Sequence, residues 1–345
     1  MSRRVRPSML VAGLGVVVVA AAVVALGSGA VRIAPSEVVA ILLRHAGLGD
    51  GGDVGVTEDA VLWSIRLPRV LLAIGVGAGL AVAGAALQGI FRNPLADPQL
   101  IGISSGAAAG SALGVLALES VIGGVAGTIG AFCGGLVAGL AVYGLARHRG
   151  RTEVVTLVLA GIAVAAVGGA LAGFLSVIAD DPRLGSPLFY SLGDLGVATW
   201  RLVGLTLPFV AVGVLVLPRY ARRLDLILLG EREAAHLGVD VERLRMEVLI
   251  LVTITVGATV AAAGVIGFVG LLVPHGVRLV VGPGHRTVLV ASALGGAVLV
   301  LAADTVARTV ALPLEVPVGL LTALAGGPLF VWLLRRTRRE HGGWG

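Results

Sequence analysis

Hydrophobic residues along this chain come in long runs separated by short polar connections. Ten apolar segments can be marked: Met9–Leu26, Val70–Ile90, Leu100–Leu118, Ile122–Leu145, Val154–Ile178, Leu202–Leu217, Val248–Ile266, Phe268–Val281, Val288–Ala303 and Val316–Leu334. A helix needs roughly 20 residues to cross the hydrocarbon of a bilayer, and only Phe268–Val281 is markedly short for that. The pattern predicts an all-α integral membrane protein of about ten transmembrane helices, one domain over residues 1–345. Arg3, Arg4 and Arg6 precede the first run as in a signal peptide. That run is long and nine more follow, so an uncleaved first span is expected.

The best-marked span is Val70–Ile90. Before it stands Arg66-Leu67-Pro68-Arg69, and after it Arg92-Asn93-Pro94-Leu95-Ala96-Asp97-Pro98. Proline does not continue a helix interior, so these prolines are expected to mark the limits of the span. Small residues recur at four-residue spacing: Gly102, Gly106, Gly110 and Gly114, then Gly123 with Gly127, Gly130 with Gly134, and Gly169 with Gly173. Such faces let helices approach closely in lipid. Gly75-x-Gly77 lies inside a span with no preceding strand, so it is no nucleotide fingerprint.

Composition agrees with the pattern: 57% of residues are hydrophobic, 13% are charged, and the mean hydropathy is +1.00. Soluble domains carry about 25% charged residues. The net charge of +6 does not indicate nucleic acid, because the arginines sit in short clusters between apolar runs. All 26 basic residues are Arg. A phosphate-binding Walker loop needs a Lys, so an energy source must come from a partner. Cys133 is the one cysteine; it can form no intrachain disulfide and reads as a small core residue.

Arginines also give an orientation. With ten spans, one side holds Arg3, Arg4, Arg6, Arg92, Arg147, Arg149, Arg151, Arg219, Arg222, Arg223, Arg232, Arg243, Arg245, Arg278, Arg286, Arg335, Arg336, Arg338 and Arg339. The other side holds Arg32, Arg44, Arg66, Arg69, Arg183, Arg201 and Arg308. Both termini are therefore expected in the cytoplasm. Residues 218–247 form the longest cytoplasmic connection. It mixes Leu228, Leu229, Ala234, Ala235, Leu237 and Val239 with many charges, and Gly230 and Gly238 divide it into short helices. It reads either as an amphipathic segment lying on the membrane or as a docking surface for another protein.

Other polar groups are sparse. Pro274 is expected to end or kink its helix, with His275 and Arg278 one turn apart beyond it. Asp304 and Arg308 stand four apart and can pair on one helix face, with Glu315 nearby. Asp180, Asp181 and Asp194 lie in one outer connection, but their spacing fits no calcium loop and the site lacks Cys and His. No nucleophile, base and orienter come together, so no enzyme activity, cofactor or bound metal is expected.

Arg66-Leu67-Pro68-Arg69, Gln88, Asn93-Pro94-Leu95-Ala96-x-Pro98 and the Gly102-x-Ser104-x-Gly106-Ala107 run resemble the membrane-permease family of ABC importers for iron chelates, haem and cobalamin. Three later strings match it too: residues 229–245, Val265–Leu279 and Ala303–Gly319. The resemblance covers about residues 62–334. It implies the type II ABC importer permease fold, with an inverted repeat relating spans two and seven. It implies a coupling segment for an ATP-hydrolysing subunit at Leu229, Gly230, Glu231, Glu233, Ala234, Leu237, Gly238 and Arg243. Arg66, Arg69 and Arg308 would dock an extracytoplasmic substrate-binding protein, with pairing to Asp304 or Glu315 as the intrachain alternative. Pro187, Phe189, Tyr190 and Leu192 would lie at the gate, where the wording departs from the family's Trp-containing form. Gln88, Asn93, Pro94, Pro98, Pro274, His275 and Asp304 would be structural. Two cytoplasmic ATP-binding subunits, a second permease copy or homologue, and membrane lipid are the implied partners. The expected cargo is a ferric siderophore or another iron chelate, with haem next and cobalamin third. A reading from another class, an ion-coupled secondary transporter, needs intramembrane acids. The spans offer only Glu153, Asp304 and Glu315, all near ends.

Overall fold

Each of the ten apolar segments carries a helix. The computed structural model describes residues 6–48, 55–148, 151–179 and 192–341. The elements, in order, are α1 (Pro7–Gly27), α2 (Pro35–His45), α3 (Val56–Ala60), α4 (Leu67–Ile90), α5 (Ile103–Ile122), α6 (Ala126–Ala146), α7 (Val154–Ala179), α8 (Trp200–Val216), α9 (Ala221–Ile227), α10 (Glu231–His236), α11 (Val241–Ala263), α12 (Val269–Val281), α13 (His285–Ala307) and α14 (Val318–His341). A two-residue antiparallel ribbon, β1 (Arg147–His148) with β2 (Arg151–Thr152), joins α6 to α7. Among the described residues, seven helical stretches are long and apolar enough to cross a membrane, and one of them, Ile103–Ala146, is α5 and α6 joined by a single 3-10 turn. The shorter apolar helices α12 and α14 complete the ten.

α4 is the centre of the bundle, and every residue from Val76 to Ile90 is buried. It packs on α12 and α13 of the second half, while α11 packs on α5 and α6 of the first. This exchange is the packing of an inverted repeat. Matching backbone breaks support it. The turn after α4 ends on left-handed Gly102 before α5, and the turn after α11 ends on left-handed Phe268 before α12. A groove of about 750 Å³ between α5, α6 and α7 has its counterpart, about 450 Å³, between α12, α13 and α14.

Glycine sets the closeness of this packing. A Cβ on Gly84 would stand 1.9 Å from the Gly270 carbonyl oxygen, and one on Gly110 would stand 2.2 Å from that of Gly130. Any side chain would force α4 from α12, or α5 from α6. Gly169 and Gly173 behave differently, with nothing within 4 Å of a built Cβ, so their spacing opens no helix contact inside the chain.

Cys133, expected in the core, is exposed on α6, and two prolines lie inside helical stretches rather than at their ends. Pro68 does not begin a helix. A π turn over Val61–Arg66 joins α3 to α4, with the Leu67 amide bonded to the Leu62 carbonyl five residues back. In that register the next carbonyl, of Trp63, faces Pro68, which has no N–H to give. The Trp200 indole donates to it instead at 2.9 Å. Pro274 does not end α12, which runs on to Val281. Proline there leaves the Gly270 carbonyl, four residues back, without its helical donor. The Gln88 amide of α4 donates to that oxygen at 3.2 Å.

Candidate functional site

The described polar side chains gather at the two ends of α4, about 36 Å apart at 1.5 Å per residue. At its first end lie Arg66, Arg69 and Arg308, only 5%, 6% and 6% exposed. Arg69 donates to Asp304 Oδ1 at 2.8 Å and to Glu315 Oε2 at 2.7 Å. Arg66 donates to the carbonyls of Leu26 (2.7 Å) and Val31, and Arg308 to those of Ser28 (2.9 Å) and Ala25. The last carbonyls of α1 have no partner within their own helix, and cations are favoured there. Two of the three arginines are thus clamps on the end of α1. Arg69 pairs with Asp304, itself fully buried, and Arg308 Nε stands 3.6 Å from Asp304 Oδ2, the pairing their four-residue spacing predicts. Arg69 thus makes the intrachain pairing with Asp304 and Glu315, Arg66 bonds to backbone carbonyls rather than to either acid, and docking of a binding protein over this face is taken up below as a proposal. Among the three groups and their acids, Glu315 is the exposed member, at 48%.

At the other end of α4 the cluster is Gln88, Arg278 and Pro274. Arg278 donates to Gln88 Oε1 and, at 3.4 Å, to the Ala85 carbonyl. The Gln88 amide is thereby held with its oxygen toward Arg278 and its nitrogen toward Gly270. His275 is half-buried, and no group of three or more His, Cys, Asp or Glu that could hold a metal exists among the described residues. The polar turn after α4 is folded on itself. Asn93 Oδ1 accepts the Leu95 amide at 2.9 Å, Asp97 Oδ1 accepts the Gln99 amide at 2.8 Å, and Pro98 starts the next 3-10 turn against Gly270. Pro94 lies exposed within that turn.

Beside this cluster lies the 218–247 connection, folded as α9, α10 and the start of α11. Gly230 (φ +131°) and Gly238 (φ +84°) make the breaks between them, conformations that L side chains rarely adopt. Ala234 is fully buried, while Leu229 and Leu237 are 63% and 59% exposed. Glu231 pairs with Arg245, which is buried and also donates to Glu242 Oε1 at 2.7 Å. Glu242 in turn accepts the Thr152 amide at 3.0 Å, tying in the β ribbon. Glu233 and Arg243 are exposed, with Arg243 paired to Glu247 at 2.9 Å. The segment therefore presents apolar and charged groups outward from a firmly anchored base.

Pro187, Phe189 and Tyr190 of the expected gate, with Asp180 and Asp181, lie outside the described residues. Leu192 is described and half-buried. It precedes a pinned stretch in which the Asp194 amide donates to the Ala263 carbonyl at 2.8 Å and the Gly319 amide to that of Gly193 at 3.1 Å. This stretch is seated between the end of α11 and the start of α14.

The FecCD transport family profile matches residues 17–336. The chain belongs to the FecCD transport family. It is 43% identical to a hemin transport system permease of Yersinia pestis over 99% of this chain and 100% of that one. It is 46% identical to a cobalamin import permease of Halobacterium salinarum, over 81% of this chain and 75% of the other. It is 41% identical to an Fe(3+) dicitrate permease of Escherichia coli, over 83% and 86%. A solved structure described as an inward-facing metal-chelate type ABC transporter superposes with a TM-score of 0.82 at 32% identity, covering 96% of this chain and 100% of that one.

As a FecCD-family permease the chain is a multi-pass membrane protein. Sequence reasoning found Asp304 with Arg308, and with Arg69 as an alternative pairing, and found Gln88 and Pro274 but not their partners. It missed Arg245 as an anchor, and it missed Asp225 and His285, which meet at 2.7 Å. Each is a lone charge or ring in the sequence, and only the fold makes them neighbours.

Proposed function

We propose that this chain is the translocation subunit of a binding-protein-dependent ABC importer for an iron-bearing chelate, with haem as the first cargo. The observation that carries the reading is the α9–α10 segment, whose Leu229 and Leu237 are exposed while Ala234 and Arg245 beneath are buried. A base held by an ion pair, with apolar groups turned out, suits a platform for a second protein. Two cytoplasmic ATP-binding subunits would seat there, one on each of two permease copies. A substrate-binding protein would dock at the other end of α4, on a face scaffolded from beneath by Arg66, Arg69 and Arg308. The arginine distribution supports cytoplasmic termini. The full-length likeness to a hemin permease supports haem ahead of a ferric siderophore, with cobalamin third.

The test is reconstitution in liposomes with the ATP-binding subunit and the binding protein. Uptake of hemin should require ATP and stop with vanadate. Preference for a ferric siderophore or cobalamin in the same assay would reassign the cargo. Uptake driven by a proton gradient without ATP would overturn the reading.

A further inference from the structure

Asp225, on α9, and His285, the first residue of α13, attach the 218–247 segment to α13, whereas the Glu231–Arg245 pair lies within the segment itself. Asp225 Oδ1 accepts the His285 backbone N–H at 2.8 Å and faces its Nδ1 at 2.7 Å. The first N–H groups of a helix have no internal partner. Gly284, at the cap position of α13, has no side chain to offer. Asp225 therefore caps α13 from another element.

The rest of the imidazole is boxed in. His285 is 1% exposed, and its Nε2 is buried without a partner. A Cβ on Gly89 of α4 would stand 2.6 Å from that nitrogen. A proton on Nε2 would have no acceptor, so the ring carries its hydrogen on Nδ1 and donates it to Asp225. One edge of the ring thus bears on α9 and the other on α4. α9 is itself held by Leu224 and Ile227, both fully buried.

We propose, resting on the reading of residues 218–247 as the ATPase platform, that Asp225 and His285 form the joint that carries displacement of that platform into α13 and α4. Both are positioning residues. α13 runs about 34 Å from His285 to its far end. Near that end Asp304 holds Arg69. A rigid helix gripped by α9 at one end delivers the same displacement to the buried arginine network at the other.

The measurement is cargo transported per ATP hydrolysed, in reconstituted complex normalised to folded permease. The native complex must first show ATP-driven uptake, which tests the platform reading separately. Asp225→Ala should then lower the transport-to-hydrolysis ratio at least five-fold while the ATP-binding subunits still co-purify. Asp225→Asn keeps an oxygen that accepts from both His285 donors and should hold the ratio within two-fold of native. Gly89→Ala removes no polar group but displaces the ring, and should lower the ratio as Asp225→Ala does; it serves as the decisive variant if Asp225→Ala does not fold. Exposed Arg286→Ala, one residue on, is the control and should not change the ratio. A native ratio in Asp225→Ala or in Gly89→Ala would overturn the joint. So would equal losses in Asp225→Asn and Asp225→Ala.

Discussion

Pro274 withholds the N–H that the Gly270 carbonyl needs, and Gln88 supplies one from the neighbouring helix. The same exchange occurs at the far end of α4, where Pro68 leaves the Trp63 carbonyl to the Trp200 indole. In lipid an unsatisfied backbone group has no water to turn to. Each proline is tolerated because a side chain across the helix contact takes up its orphan, and each ties two helices together in doing so.

A prediction follows for Gln88. Gln88→Leu leaves the Gly270 carbonyl and part of Arg278 unpaired and should cost about 1–3 kcal/mol of stability. Pro274→Ala returns an amide to α12. In that background the Gln88→Leu loss should shrink by about 1 kcal/mol, a coupling that a double-mutant cycle reads from unfolding in detergent. Strict additivity would show that Gln88 does not serve the carbonyl that Pro274 frees.

A second prediction concerns the buried arginines. Arg69→Met removes the nearer of the two cations facing fully buried Asp304, leaving Arg308 at 3.6 Å, and should cost about 3 kcal/mol, the low end of the usual effect of breaking a buried pair. Asp304→Asn in the same background should recover part of that loss. Charge reversal at Arg66 or Arg69 should reduce folded protein before it reduces binding-protein affinity. Folded Arg69→Met with native stability and weakened docking would favour the docking role over the structural one.

The helices were legible because lipid imposes one rule on the whole length of a span. Apolar runs therefore predicted all ten, and four-residue glycine spacing marked the close-packing faces of α5 and α6 without saying that they meet each other. Boundaries failed where a proline met a non-standard turn: Pro68 reads as a start only if the helix before it is assumed to be α. The site was half legible. Gln88, Pro274 and Asp304 stood out as polar or helix-breaking residues in apolar surroundings. Their partners lie 182 residues from Gln88 and 235 from Asp304. Arg66 and Arg308 looked displaced by the inside-positive rule, and the missing reason was a set of backbone carbonyls at the end of α1, which side-chain spacing cannot reveal.

A third prediction is a pH dependence. Burial pushes the Asp97 carboxyl from its ordinary 3.8 up to about 6, against the opposing hold of the Gln99 amide. The charged form is then the one disfavoured in the fold. Stability should be greatest where Asp97 is protonated in both states, fall as pH rises from about 4 to 6, and level off above. Asp97→Asn keeps an oxygen for the Gln99 amide and removes the ionisation. It should match the native protein at pH 4 and exceed it at pH 7.5 by an amount on the order of 2 kcal/mol. Parallel stability curves for the two proteins would show that the carboxyl is hydrated in the fold.

The last prediction separates surface from anchor within the platform. Leu229 and Leu237 are mostly exposed. Replacing either with Asp should change stability by no more than about 0.5 kcal/mol, as surface substitutions do. If these leucines meet the ATP-binding subunit, the same changes should cut its retention on the purified permease at least ten-fold. Glu231 differs because it faces Arg245, only 5% exposed in its side chain. Glu231→Ala leaves that cation with Glu242 alone and should lower the thermal midpoint as well as coupling, whereas Glu233→Ala, on an exposed side chain, should leave the midpoint alone. Comparing midpoint with subunit retention across the four variants gives two distinct patterns. Native retention in both leucine variants would move the ATPase contact off α10, whatever the behaviour of Glu231.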